Sequence, residues 1–316
     1  MRRRLAIIAL IFVLLIALTS CRRLVEPENK SISVYATFWP VYALSDAVMK
    51  DVPDARLCLL VQPQDGCLRS YALSDWDAAI LSRSADAVLM GGRGLESFES
   101  ALFGWGESGP AVSAVLYNLK LCNDDQRADV EQESHLSGPN PHLYMSIEGA
   151  KQIVESVCAT MQSLDPGYAG LYIQNAQDAQ GRLDALLKEN RALLTSVEGE
   201  DVILMNEALI YVAQDYGLNV ADWIDRESGD ALVGNELTAL LERLSASQAE
   251  VVLIEKQAPQ ALTEALEAAG FAVAQLDVLS AHREGEGFDA YIEIQSANAR
   301  AISEAFAKAE SMEDAH

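Results

Sequence analysis

Fourteen apolar residues run unbroken from Leu5 to Leu18 behind Arg2, Arg3 and Arg4, and the run ends at Leu18-Thr19-Ser20-Cys21. A positive start and an apolar stretch of this length fit a cleavable signal peptide over 1–20. The stretch is short of the about 20 apolar residues that a membrane-spanning helix needs. Residues 22–30 are polar and read as a tether. Beyond them, short β-like runs alternate with longer helical patterns, the rhythm of α/β units with mostly parallel sheets. The apolar pattern predicts strands over 31–38, 56–61, 85–90 and 115–121, then over 201–205, 219–223, 251–255 and 271–276. It predicts helices over 73–82, 147–163, 237–244 and 259–269, the last closed by Ala269-Gly270.

One segment breaks this rhythm. From Pro166 to about Ser196 there is no strand and no glycine-rich break, only a helical pattern with Leu171, Asn175, Leu183, Leu186, Leu187 and Leu194 at helical spacing. Gly181 sits inside it, at a cost of up to about 1 kcal/mol against alanine. A helix of some thirty residues spans about 45 Å, which suits a backbone joining two lobes better than a crossover inside one. The expected architecture is therefore α/β with two lobes, each a mostly parallel sheet flanked by helices, joined by one long helix. The lobes fall at 31–165 and 198–312, with 166–197 between them. Residues 123–141 form an acidic, polar loop that reads either as a solvated surface run or as a mobile loop that gathers cations. There is no tandem repeat, phosphate-binding glycine loop, basic–aromatic patch or GxSxG elbow.

Charge narrows the partners. The net charge of −24 would repel nucleic acid and anionic headgroups, and it would attract cations. Half the residues are hydrophobic, enough for folded cores. Of five cysteines, Cys21 closes a run that resembles the lipobox of bacterial lipoproteins. That resemblance implies lipidation of Cys21, a mature chain that begins there, and an anchor on the extracytoplasmic face of the cell membrane. Cys58, Cys122 and Cys158 lie in apolar stretches and read as buried small hydrophobes, although an exported chain also permits disulfides. Cys67 differs, because it follows Pro63-Gln64-Asp65-Gly66 in a turn.

In open α/β sheets, ligands bind beyond the carboxyl ends of the strands. Asn206 and Glu207 follow one predicted strand, Glu255 ends a second and Asp277 follows a third. In the first half, Cys67 lies a few residues past a strand, and His142 stands in Asn140-Pro141-His142-Leu143-Tyr144 just before a helix. Sulfur, imidazole and carboxylate together suit zinc or another borderline transition metal. Each residue also has a plain structural role open to it. His142 can be a hydrogen-bonded turn residue, and Asp277 can cap the turn after it. Asn206 or Glu207 can cap the helix that continues to Tyr216, and Glu255 can pair with Lys256 or a neighbouring arginine.

At these residues the chain resembles the zinc/manganese-type (cluster A-I) substrate-binding lipoproteins of bacterial ABC importers. The resemblance rests on Val34-Tyr35-Ala36-Thr37-Phe38-Trp39-Pro40-Val41-Tyr42, on Leu73-Ser74-Asp75 followed by Ser84-Ala85-Asp86-Ala87-Val88, and on Gly92-Arg93-Gly94-Leu95-Glu96. It continues in Asn140-Pro141-His142-Leu143-Tyr144, where asparagine replaces the family's aspartate, and in Tyr211-Val212-Ala213-Gln214-Asp215-Tyr216-Gly217-Leu218. His142 then takes the place of the second histidine ligand and Asp277 that of the C-terminal aspartate. Cys67 stands where the first histidine is expected, and Asn206, with Glu207 beside it, stands at the third ligand. The resemblance implies a monomeric binding protein, not an enzyme, that captures a divalent metal between its lobes for an ABC permease. Cysteine favours Zn2+ over Mn2+. Glu255 would support the site from behind, or reach in. The rival expectation is a binding or adhesion lipoprotein of the same fold with a degenerate, metal-free cleft.

Overall fold

Alternation along the strands sorts the side chains into separate cores. In the first sheet, Val34 and Ala36 of β1 (Ile32–Ala36) join one core, while Tyr35 between them joins another with Cys58 of β2 (Ala55–Leu59) and Val88 of β3 (Ala87–Met90). The second sheet repeats the arrangement. Val202 and Leu204 of β5 (Asp201–Leu204) enter the first core, and Ile203 packs with Val252 and Ile254 of β7 (Val251–Glu255) on the opposite face. The period of two therefore fills both faces, as parallel strands covered by helices require. The computed structural model of the chain describes residues 32–62, 68, 71–106, 109–119, 140–224, 226, 232–280 and 285–313.

The first sheet has the order β2-β1-β3-β4, with β4 at Ala111–Ala114, and the second has the order β6-β5-β7-β8. β6 is Asn219–Trp223 and β8 is Ala272–Leu276. All pairings are parallel, with Val34 opposite Leu57 and Ala87, and Val202 opposite Val220 and Val251. The two orders are the same order used twice. In each, the chain reverses its direction of travel at the first strand, which opens a crevice between the first and third strands at their carboxyl ends.

The helices are α1 (Trp39–Met49), α2 (Asp75–Ser84), α3 (Glu99–Phe103), α4 (Ile147–Leu164), α5 (Ala169–Leu193), α6 (Ile210–Tyr216), α7 (Asn235–Leu244), α8 (Gln260–Ala268) and α9 (Phe288–Glu313). Ser74 and Asp77 make a capping box at the start of α2, and Gly217 ends α6 in the left-handed region at φ 66. The long helix expected between the lobes is α5. It buries Tyr172, Ala176, Ala179, Leu183, Leu186 and Leu187 and leaves Gly181 exposed. Burying each leucine contributes about 1.5–3 kcal/mol. A second long helix, α9, is one residue longer than α5 and is not predicted by the apolar pattern. It packs on β8, and also on α1 and α5.

The strand expected over 115–121 lies earlier, at Ala111–Ala114. Small residues at a sheet edge form it, whereas Val115 and Leu116 turn away and are buried in the main core. High apolar content there marks core packing in a turn, not a strand.

The inner faces of both sheets pack against one helical layer made of α1, α4, α5 and α9, so a single core runs through both lobes. Two carboxylates reach across it. Asp46 of α1 accepts from Phe288 N–H at the start of α9, at 3.1 Å. Asp215 of α6 accepts from Ser146 Oγ at 2.7 Å and from Ile147 N–H at 2.5 Å, at the start of α4. Each lobe thus caps a helix of the other, with negative charge at the positive end. Moving one lobe against the other would break both caps and shear a close-packed core. Among the described residues no helix is long and apolar enough to cross a membrane.

Candidate metal centre

The carboxyl end of β5 delivers Asn206 and Glu207 into the second crevice. Asn206 is extended, and its amide oxygen accepts from Ala208 N–H at 3.0 Å, capping the 3₁₀ turn Glu207–Leu209 that leads into α6. The capping role open to Asn206 in the sequence is therefore the one it adopts. Glu207 is 8% exposed, with Oε1 3.7 Å from Nδ1 of His142.

His142 reaches this point from the other lobe. It precedes the 3₁₀ turn Leu143–Met145 and α4, whose N-cap Ser146 accepts from Gly149 N–H. Asn140 accepts through Oδ1 from His142 N–H at 3.0 Å and meets His142 Nδ1 at 2.8 Å. Its Nδ2 donates to the Glu207 carbonyl at 2.9 Å, and Tyr211 Oη donates to the Asn140 carbonyl at 2.6 Å. Tyr144 meets the His142 ring edge-on, with centroids 5.8 Å apart, and Phe38 packs edge-on against Tyr144 at 5.3 Å. A motif of the first half is thus fixed by residues of the second.

Glu255, at the end of β7, is fully buried and accepts from the Arg226 guanidinium at 2.5 Å. The arginine pairing open to it in the sequence is realised, with Arg226 as partner. Asp277 accepts from Leu279 N–H at 2.9 Å, and its backbone is held from both sides by Asn298 of α9, at 2.8 and 3.0 Å. Its carboxylate closes the turn that holds Leu279 at φ 63.

The structure brings His142 and Glu207 together, with Asn140 between them. It does not gather three histidine, cysteine, aspartate or glutamate side chains in ligating range among the described residues. Cys67 and Cys21 lie outside the described residues, as do Cys122, the 123–139 loop and the signal segment. Cys58 and Cys158 are both buried, and burial pushes the Cys158 thiol up from its usual range. One groove of the second lobe lies at the opposite end of the sheet, around Gly199, Asp201 and Val251, where strands begin.

Two buried acids have structural roles that the apolar pattern does not predict. Glu96 is 2% exposed and accepts from Thr37 Oγ1 at 2.6 Å and from Gly91 and Gly92 N–H at 2.8 Å each, which places it at the crevice of the first sheet. Burial drives its pKa upward against these three donors. Gly92, at φ 79, has the backbone conformation this cradle needs. Asp215 is the second. Burial raises its pKa to about 6, although Ser146, Ile147 and Arg191 pull the other way. The signal that could mark it is an acid on the apolar face of a short helix.

A family model described as ZnuA, zinc-uptake complex component A, periplasmic, matches residues 34–305. A high-affinity zinc uptake system protein ZnuA of Paracoccus denitrificans is 29% identical over 85 residues, 27% of this chain and 26% of its own length. Zn(II)-bound AdcA from Streptococcus pneumoniae superposes with TM-score 0.72 at 22% identity, covering 87% of this chain and 57% of that one. FpvC from Pseudomonas aeruginosa in complex with Mn2+ superposes with TM-score 0.74 at 20% identity, covering 88% and 99%. The matched part spans about a quarter of the curated Paracoccus protein and somewhat over half of the pneumococcal one. With nearly all of both lobes inside the matched range, the chain belongs to the ZnuA family, zinc-uptake complex component A, periplasmic.

Proposed function

We propose that this chain is the extracytoplasmic substrate-binding component of an ABC importer, that it captures Zn2+ between its lobes, and that it is not an enzyme. The observation that carries the reading is the meeting of His142 and Glu207 from opposite lobes at the carboxyl edges of the sheets, 3.7 Å apart. Family membership supports a transport role over a catalytic one. His142 and Asp277 are the proposed ligands from the described residues, and Cys67 supplies sulfur in place of an imidazole.

Glu207 serves better than Asn206 as the fourth protein group, because the Asn206 amide oxygen is engaged by Ala208 N–H. In its present rotamer the Glu207 carboxylate faces Nδ1, the position of a group that orients an imidazole. Rotation of its side chain would let it ligate directly. The buried Arg226–Glu255 pair keeps the end of β7 electrically neutral behind the site. Cysteine with imidazole and carboxylate favours Zn2+ over Mn2+, which the Mn2+ complex of a structural relative makes worth measuring. A lipid on Cys21 would hold the protein beside its permease, and the lobes at 31–165 and 198–312 would act as one body.

Metal content after purification under reducing conditions, with chelator competition, tests the reading. Stoichiometric zinc is expected, and absence of metal together with no response to added zinc would overturn it. The capping role of Asn206 favours one alternative, a binding or adhesion lipoprotein with a degenerate cleft. Stability that is indifferent to chelator and to every added metal would select it.

A further inference from the structure

The Asn140 amide makes three hydrogen bonds, two of them to backbone groups whose roles cannot change. Its Oδ1 accepts from His142 N–H at 3.0 Å, and its Nδ2 donates to the Glu207 carbonyl at 2.9 Å. A backbone N–H only donates and a carbonyl only accepts, so the amide cannot be turned over. The third contact then has one reading. An amide oxygen 2.8 Å from Nδ1 of His142 requires the hydrogen on Nδ1 and leaves the lone pair on Nε2. Asn140 is itself 1% exposed, and Tyr211 Oη fixes its carbonyl at 2.6 Å, so the pattern is held rigidly and without solvent.

We propose that Asn140 is a positioning residue that sets His142 in the Nε2-ligating tautomer and ties it to the backbone of Glu207, so that one neutral side chain aligns groups from both lobes. The proposal rests on the reading of His142 as a metal ligand. The amide does what a carboxylate at this position cannot. Aspartate would accept from both His142 N–H groups but would set a charged oxygen against the Glu207 carbonyl. The amide adds no charge of its own beside the ring, which already faces the Glu207 carboxylate at 3.7 Å. Asparagine here therefore serves alignment across the lobes.

Metal-free protein labelled with 15N in histidine tests this at about pH 8, above the ordinary imidazole pKa of about 6.5. The His142 ring signals, assigned with His142→Gln, report which nitrogen carries hydrogen. The native chain should show hydrogen on Nδ1 alone. Asn140→Ala should shift the ring to mixed tautomers or to hydrogen on Nε2, and should weaken zinc binding about 10–100-fold. Asn140→Asp should keep the Nδ1–H tautomer while lowering thermal stability. Hydrogen on Nε2 in the native chain, or a tautomer unmoved by Asn140→Ala, would overturn the proposal. Should the alanine variant not fold, the native spectrum and the aspartate variant decide alone. The ring signals are read without metal, so a tautomer that responds as expected in a chain that ignores zinc would count against the metal reading and not against this one.

Discussion

Replacing Asp215 by asparagine should change how stability depends on pH, with a sign fixed by burial. The Asp215 carboxylate is 6% exposed between α4, α5 and α6, and its pKa rises from an ordinary 3.8 to about 6. Desolvation is the main cause. The Glu148 charge adds to it, and the donors Ser146 and Ile147 and the Arg191 charge oppose it. Tyr216 and Tyr291 also face Asp215; burial raises their pKa values, and the Asp215 charge adds to that. A raised folded-state pKa means that the folded chain holds this proton more tightly than the unfolded chain does. The stability it contributes is fully present below 3.8 and is lost as pH rises through about 6. At about 1.4 kcal/mol per pH unit, the step from 3.8 to about 6 corresponds to about 3 kcal/mol. Asp215→Asn keeps an oxygen for Ile147 N–H and never ionises. Urea unfolding of both chains at intervals from about pH 4 to about pH 7 reads the difference, native minus variant, in which other titrating groups cancel. That difference should move against the native chain by about 2–3 kcal/mol across the interval. A difference constant with pH would exclude this, since Asp215 would then titrate alike folded and unfolded.

Gly181 lies on the exposed face of α5 with nothing within 4 Å of an added Cβ. Gly181→Ala should raise unfolding free energy by up to about 1 kcal/mol, measured by urea titration. Removing one member of the buried Arg226–Glu255 pair, as in Glu255→Gln, strands a buried charge and should cost about 3–5 kcal/mol. The double change Arg226→Met with Glu255→Leu should recover most of that loss in the same assay. Cys67→Ser should weaken zinc binding by about an order of magnitude or more under reducing conditions, read by chelator competition.

The sheets were legible because buried parallel strands are short apolar runs between turn residues. β6 and β7 begin and end where the pattern places them. β4 was not, because an edge of small, half-exposed residues carries less apolar signal than the Val115-Leu116 turn packed beneath it. α9 was missed because its run from Phe288 mixes acids, alanines and isolated large apolar residues across a face shared between β8 and α5. His142 and Glu207 stood out as chemistry-bearing residues at strand and helix ends. The bonds that join them were not readable in advance. Asn140 could be seen as an asparagine in an expected aspartate's place, but its double grip depends on the Glu207 carbonyl, 67 residues away in sequence. The cap of Asp215 on α4 spans a similar separation. Local pattern does not record which distant backbone groups a polar side chain will meet.

On the proposed reading, zinc binds between the lobes through His142. Thermal unfolding of the native chain and of His142→Ala, each with and without zinc in excess under reducing conditions, tests it directly. At a hundred times the dissociation constant, bound zinc should add about 2.7 kcal/mol to the native chain, and the gain should vanish in His142→Ala. A native chain unmoved by zinc, or a variant stabilised as fully as the native chain, would rule out His142 as a zinc ligand.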